Sequence, residues 1–466
     1  MSTADLTAGT HLPLRGLPRP VPYVGPVAIL GVVVAWVLMW AVSGPGDAST
    51  GSYLGQAIGA LALLLMSTGL LLAGLGPQLE RWFGGLDKTV VWHRGLSFVG
   101  FLLLFPHGWL AVDPALAGEE TVGVMLGSGA RFLLMVLMVW AVAPPLWRNV
   151  PQRARAVVAA PFRAVGRVLG ERMRRTLRAV GGYDGWRSVH RFAALAVALG
   201  FTHGLVTATM FGDRPLLRWT YLVAGAIGLG AYLARLVLGQ RLDPRHAYRV
   251  TSLTTTGSVA ELVLAPEGEP LRFEAGQFAF VRFPGRLHRH PLTIASAPGE
   301  PVLRFSIKAL GDYTATIGEQ LRTGDRVTVQ GPYGHLFDDG DERHQVWVAA
   351  GVGVTPMLGR LRSRAQQRGP RPAVDLFYST RGAAGDPFAT ELATLVRDDT
   401  EVRLHVVDTE IRDRLGVEEI AHVIRHPDAV TVVVVGPEEL VSGVRRGMRR
   451  IGVPVHAVRT EVFNWR

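Results

Sequence analysis

The sequence predicts a membrane protein in two halves: a bundle of six transmembrane helices, then an antiparallel β-barrel followed by an α/β doubly wound domain. Three observations carry this prediction. Six apolar runs of roughly 20 residues, the length a helix needs to cross a bilayer, fill the first half of the 466-residue chain. No run of that kind follows Arg241. The remainder breaks into short β-branched runs, at first separated by Gly/Pro turns and then alternating with helical patterns.

The apolar runs cover residues 24–42, 53–75, 89–112, 122–143, 186–210 and 216–238. A mean hydropathy of +0.23 is high for a soluble enzyme. The net charge of +11, carried mainly by arginine, suits either nucleic acid or an anionic membrane surface. The apolar runs favour membrane lipid, and no nucleic-acid partner is expected. Between the fourth and fifth runs stand Arg148, Arg153, Arg155, Arg163, Arg167, Arg172, Arg174, Arg175 and Arg178 against two acids, Glu171 and Asp184. By the positive-inside rule this connection is cytoplasmic. It reads either as an amphipathic helix on anionic headgroups or as a solvated basic loop. The opposite connections carry Asp47, Asp113, Glu119 and Glu120. An even number of spans then puts both termini, and the whole second half, on the cytoplasmic side of the cell membrane. Residues 1–23, polar and rich in Pro and Gly, read as a cytoplasmic tail rather than a signal peptide. The helical domain is expected over residues 24–240, the barrel over 246–340 and the α/β domain over 342–466.

In the second half, residues 249–256, 277–283, 302–308 and 326–330 read as barrel strands. The β-branched runs 345–350, 373–378, 402–407 and 431–435, with helical patterns between them, argue for a parallel sheet.

The chain has no cysteine. That excludes disulfides, thiolate-held zinc, iron–sulfur clusters and a cysteine nucleophile, so any redox group must be held by other side chains. Within the apolar runs the histidines are His93 and His107 on the third and His190 and His203 on the fifth. Polar residues at membrane depth are costly and face the bundle interior with a partner. Spacings of fourteen and thirteen residues separate the members of each pair by about 20 Å along a helix. Two helices running the same way would align His93 with His190 and His107 with His203, two stacked levels of two imidazoles each. Haem iron accepts such paired axial ligation. Hydrogen bonding between helices or a proton relay would use the same residues. At 100° per residue, fourteen residues return to within about 40° of the starting face, while thirteen fall short by about 140°. The fifth helix is therefore expected to be irregular, near Gly200, or to present its ligands from different sides.

The pairs in Trp92-His93-Arg94 through His107, and Trp186 through His203, resemble the ferric reductase and NADPH oxidase superfamily. The resemblance implies two haem b groups, one above the other, at these iron-ligating positions. It continues into the second half. His290-Pro291-Leu292-Thr293-Ile294-Ala295-Ser296-Ala297-Pro298 is similar to the family's FAD-binding motif, with His290 in place of an arginine and Leu292 where an aromatic residue is common. The Thr293 hydroxyl can meet the flavin edge or the pyrophosphate. Ile307-Lys308-Ala309-Leu310-Gly311-Asp312-Tyr313-Thr314 resembles the phosphate-contacting turn and helix start, where backbone N–H groups and Thr314 can meet an anion. Taken alone, either segment could be a hairpin turn.

Ala349-Ala350-Gly351-Val352-Gly353-Val354-Thr355-Pro356 lies where a strand should end and a helix begin, and its glycines let the backbone approach a phosphate. It resembles the Gly-x-Gly-x-Thr-Pro motif of this reductase group. Ser379 and Arg381 follow the next strand, where such folds discriminate the adenosine ribose; an arginine suits NADPH over NADH. Gly436-Pro437 resembles the nicotinamide-side Cys-Gly-Pro turn, with Val435 in place of the cysteine. Relatives end with an aromatic residue near the flavin ring. Phe463 is the candidate here, or a hydrophobic plug for the last strand, and with Thr293 it is the candidate at the reacting ring. The resemblance implies a transmembrane oxidoreductase that passes electrons from NAD(P)H to a small acceptor, a ferric chelate or oxygen giving superoxide. A haem-holding or proton-conducting membrane protein with a regulatory nucleotide domain is the alternative from another class.

Overall fold

A computed structural model describes residues 23–46, 48–111, 121–149, 188–212, 214–257, 259–285, 289–308, 317, 321–337, 341–367, 369 and 371–461. The N-terminal tail, the Arg-rich connection from Arg153 onward, Trp186, Gly311, Tyr313, Thr314 and Phe463 lie outside these residues. The chain forms two compact units, one of Tyr23–Leu79 with Lys88–Gly239 and one of Glu80–Asp87 with the residues from Gln240 onward.

The first unit is helical. Helices α1 (Val24–Ser43), α2 (Thr50–Phe83), α3 (Leu86–Leu110), α4 (Val122–Asn149), α5 (Ala193–Thr207) and α6 (Pro215–Leu242) follow in order. All six apolar stretches are long and apolar enough to cross a membrane, the fifth when Ser188–Thr207 is taken whole. Apolar residues point outward as well as inward: Val27, Leu30, Phe132 and Trp219 are exposed while Trp36, Trp40, Phe101 and Leu217 are buried. A helix apolar on all sides suits lipid rather than water. Helix α2 bends at Leu75 (φ −114°, ψ 16°), two residues before Pro77. The missing N–H and the bulk of the proline ring break the helical hydrogen bonding there. Close approach to α6 uses glycines on both sides. A Cβ at Gly74 would lie 2.5 Å from the Ala231 carbonyl oxygen, and one at Gly228 2.5 Å from that of Ser67.

The second unit begins with six antiparallel strands: β1 (Arg245–Thr256), β2 (Val259–Pro266), β3 (Phe278–Arg282), β4 (His290–Thr293), β5 (Leu303–Lys308) and β6 (Arg326–Tyr333). Their order is β4-β3-β6-β1-β2-β5. A bridge between Ile294 and Phe305 joins the two edges and closes the barrel. Alternation along β5 sends Leu303, Phe305 and Ile307 into the core with Leu262, Leu264, Val281 and Val329.

Five parallel strands follow in the order β11-β10-β7-β8-β9, where β7 is His344–Ala350, β8 Val374–Thr380, β9 Val402–Asp408, β10 Val430–Val435 and β11 Val458–Glu461. Helices α7 (Thr355–Gln366), α8 (Pro387–Val396), α9 (Val417–His422) and α10 (Glu438–Arg450) cover both faces. Trp347 and Ala349 pack with Met357, Leu361 and Leu392 on one side; Val346 and Val348 pack with Ile420, Val444 and Met448 on the other. Burial on both faces explains the unbroken run Val432-Val433-Val434-Val435. The order reverses between β7 and β10, the switch point at whose carboxyl end such sheets bind ligands.

Candidate functional site

In the helical unit the four histidines meet in two pairs. The His93 and His190 ring centres are 6.2 Å apart, and those of His107 and His203 are 6.0 Å apart. An imidazole nitrogen lies about 1 Å from its ring centre and bonds a metal at about 2 Å, so two rings flanking one ion stand roughly 6 Å apart. No group of three or more metal-ligating side chains occurs among the described residues. Two imidazoles on opposite sides suit an iron whose other four positions a porphyrin fills.

Neighbouring helices orient the rings. His93 Nδ1 donates to the Gly69 carbonyl at 2.8 Å and His107 Nδ1 to that of Gly55 at 2.9 Å, both on α2. Fourteen residues separate the two donors and fourteen the two acceptors, the register of an antiparallel helix pair. His203 Nδ1 donates to the Gly123 carbonyl, on α4, at 2.7 Å. A carbonyl can only accept, so each Nδ1 carries the proton and each Nε2 keeps its lone pair for a metal. Glycines make room for the rings. A Cβ at Gly59 would lie 2.6 Å from His107 Nδ1, one at Gly127 2.8 Å from His203 Nδ1, and one at Gly69 3.6 Å from His93 Nδ1.

The irregularity expected near Gly200 falls elsewhere. Residues 188–190 are helical, Arg191 and Phe192 form a turn, and α5 resumes at Ala193. Phe192 N bonds Val189 O and Ala194 N bonds Arg191 O, three residues back instead of four. The break directly after His190 frees it from the 100° phase of α5, and both histidines turn toward α3.

In the second unit, the FAD-like motif forms β4 and the bend after it. Thr293 pairs with Phe278, and its hydroxyl is buried without a hydrogen-bond partner. A buried hydroxyl of that kind is costly unless a ligand completes it, so this residue fits a cofactor with polar edge atoms. Leu292 packs on the barrel core. His290 and Pro291 are half-buried at the start of the strand. Arg289, which sequence reasoning passed over, stands 5.3 Å from the centre of the Phe280 ring. It supplies a guanidinium one residue before the position where His290 replaces the family's arginine. Ile307 points into the barrel core, which leaves only its backbone for a ligand.

The nucleotide motif leaves β7 through Gly351, whose φ of +54° favours glycine. A Cβ there would lie 3.6 Å from the Lys308 Nζ, so the end of β5 brings a cation to the turn. A Cβ at Gly353 would lie 2.7 Å from the Val435 carbonyl oxygen and 3.2 Å from the Gly436 Cα. Two segments 82 residues apart, at Gly353 and Val435, therefore meet at the switch point, with Gly436-Pro437 opening α10. Thr355 donates to the Val352 carbonyl at 2.6 Å, and Pro356 stands in the first turn of α7. The Thr355 hydroxyl thus closes the turn, while the helix start faces any phosphate with N–H groups.

Ser379 and Arg381 follow on the neighbouring strand β8, with Arg381 exposed. The turn holding Arg381 is clamped by Asp408, which accepts from Gly382 N at 2.9 Å and Ala383 N at 2.7 Å. The backbone N–H groups of Glu410, Ala383 and Gly382 hold its carboxyl below the usual aspartate range. Asp386 accepts from the Tyr378 and Thr380 hydroxyls and caps α8.

Residues 247–336 match the FAD-binding domain family, and residues 343–460 match the family described as adenylate-forming reductase 03009, C-terminal domain. The alkene monooxygenase system ferredoxin–NAD(+) reductase component of Xanthobacter autotrophicus is 31% identical over 231 residues, 47% of this chain and 70% of that protein. NADPH oxidase 1 of Mus musculus is 36% identical over 160 residues, 33% of this chain and 26% of its own length. The crystal structure of the Amycolatopsis cytochrome P450 reductase GcoB aligns at 23% identity over 47% of this chain and 70% of that one, with a TM-score of 0.42. The chain thus spans 70% of the first relative but about a quarter of the second. Through its C-terminal half the chain belongs to the FAD- and NAD(P)H-binding reductases of the ferredoxin–NADP reductase type, and its likeness to NADPH oxidase 1 supports the resemblance to the ferric reductase and NADPH oxidase superfamily.

Proposed function

We propose that the chain is an oxidoreductase of the cell membrane that carries electrons from cytoplasmic NAD(P)H through FAD and two bis-histidine haem b groups to an acceptor on the opposite face, a ferric chelate or oxygen. The observation that supports this most is the pair of imidazole levels, with ring centres 6.2 and 6.0 Å apart and Nδ1 bonded to carbonyls at three of the four rings. When bound, FAD accepts hydride from NAD(P)H and the haems carry single electrons; the protein governs distance, orientation and potential. On the reductase side, Lys308, Gly351, Gly353 and the start of α7 hold phosphate, Thr293 donates to the flavin edge, and Ser379 with Arg381 reads the adenosine ribose. Gly436 and Pro437 bound the nicotinamide side. In the bundle, His93 with His190 and His107 with His203 would each hold one haem by two imidazoles. With both histidines of each pair so engaged, the acceptor would take its electron without binding iron.

The test is ligand removal at one level. In His107→Ala or His203→Ala, haem content should fall by about half, one of two equivalent bis-imidazole sites. NAD(P)H reduction of a soluble dye by the flavin half should continue. Full haem content with an unaltered low-spin spectrum in both variants would remove the ligand assignment.

A further inference from the structure

Between Val122 and Ala141, helix α4 carries one charged residue, Arg131. A guanidinium does not lose its proton, and an ionised group inside an apolar span is costly unless an anion or water meets it. Its position on the helix is specific. Gly123, Gly127 and Arg131 recur every four residues and share one face. That face belongs to the outer imidazole pair: the Gly123 carbonyl accepts from His203 Nδ1, and Gly127 lies against the His203 ring. Arg131 continues it toward the other ligand. A Cβ at Gly108, the residue after His107, would lie 2.7 Å from Arg131 Nη1. Arg131 is exposed, and among the described residues no carboxylate pairs with it. Among the described residues, then, a permanent cation stands beside His107 and His203 without an anion to pair with it.

We propose that Arg131 is the cation of a carboxylate-binding subsite at the outer imidazole pair. The carboxylate is carried either by the outer haem or by an anionic ferric chelate; the planar fork of the guanidinium matches it in both cases. The inference rests on the haem reading of these histidines. Where the outer haem carries the carboxylate, that group would hold the guanidinium against it; reduction would add a negative charge there, so loss of the arginine should lower the outer reduction potential.

The experiment uses the full chain in lipid nanodiscs, wild type against Arg131→Gln and Arg131→Lys. Haem content is measured first, then both reduction potentials with no acceptor present. Steady-state KM is taken last, for ferric citrate and for a cationic acceptor, ferricytochrome c. If the haem supplies the carboxylate, Arg131→Gln lowers one of the two potentials and leaves the other, by at least a tenfold shift in the reduction equilibrium, about 59 mV for one electron. Arg131→Lys restores most of it. If the chelate supplies it, both potentials stay and the KM for ferric citrate rises severalfold in Arg131→Gln, with ferricytochrome c unaffected. Unchanged potentials together with an unchanged KM overturn the proposal, and so does a lysine variant as impaired as the glutamine one. Should Arg131→Gln lose the outer haem outright, Arg131→Lys decides: two haems retained supports a need for charge, and loss again means a packing role and ends the proposal. A wild-type protein without haem would instead end the reading of the histidines on which the proposal stands.

Discussion

Gly59→Ala should remove the outer haem without touching a ligand. The added Cβ would stand 2.6 Å from His107 Nδ1 and 2.7 Å from Cε1. Ordinary contact begins at about 3.5 Å, so the ring must retreat by about 0.9 Å. Metal–ligand distances tolerate about 0.2 Å. Nor can the ring rotate freely, because Nδ1 is bonded to the Gly55 carbonyl at 2.9 Å. Overpacking costs about 1–3 kcal/mol and losing the hydrogen bond about 0.5–1.5 kcal/mol. The sum, about 1.5–4.5 kcal/mol, weakens outer haem retention by roughly tenfold to a thousandfold. Gly127→Ala should act likewise on His203, where the Cβ would lie 2.8 Å from Nδ1. Gly129→Ala is the control on the same helix: nothing lies within 4 Å of its Cβ, and alanine is the better helix former by about 1 kcal/mol. The assay is haem per flavin in the purified variants, with the low-spin spectrum. Two haems and unshifted bands in both Gly59→Ala and Gly127→Ala would refute the reasoning.

Thr293→Val removes a buried hydroxyl that has no partner within the protein. Thermal stability of the flavin-free protein should hold, while FAD affinity falls by roughly twofold to twelvefold, one hydrogen bond of about 0.5–1.5 kcal/mol; unchanged affinity would dismiss the contact. Arg381→Ala should shift the ratio of kcat/KM for NADPH over NADH by about tenfold or more, since a charged hydrogen bond contributes roughly 1.5–3 kcal/mol. An unmoved ratio would exclude Arg381 from coenzyme choice.

Much of this architecture was legible because hydropathy and β-branching are local signals. The run 24–42 and the helix Val24–Ser43 nearly coincide. Helix α2 was harder: apolar residues stop near Leu75, but the helix continues past the Pro77 bend to Phe83. Strands β2, β4 and β11 escaped sequence reading. In β4 the residues His290-Pro291-Leu292-Thr293 have no β-branched run, and pairing with β3 makes them a strand. Histidine pairing was legible from spacing, yet the carbonyls of Gly55, Gly69 and Gly123 were not, since those bonds span 24 to 80 residues and depend on helix register. A signal was present all the same: glycines four residues apart, Gly55 with Gly59 and Gly123 with Gly127, mark helix faces where another helix comes close. Lys308 and Gly351 were each singled out, but their meeting needed the barrel and the sheet in place.

Direction of electron flow is the central claim, and oriented sealed vesicles test it most directly. NADPH is supplied only on the reductase side, and a membrane-impermeant ferric chelate only on the other. The account predicts reduction of the chelate, lost in His107→Ala and His203→Ala. Each electron crossing alone carries negative charge outward, so a potential negative on the reductase side should assist it by about 2.3 kcal/mol per 100 mV. Reduction that appears only when chelate and NADPH share one face would contradict the transmembrane route and leave a flavin-side reductase in its place.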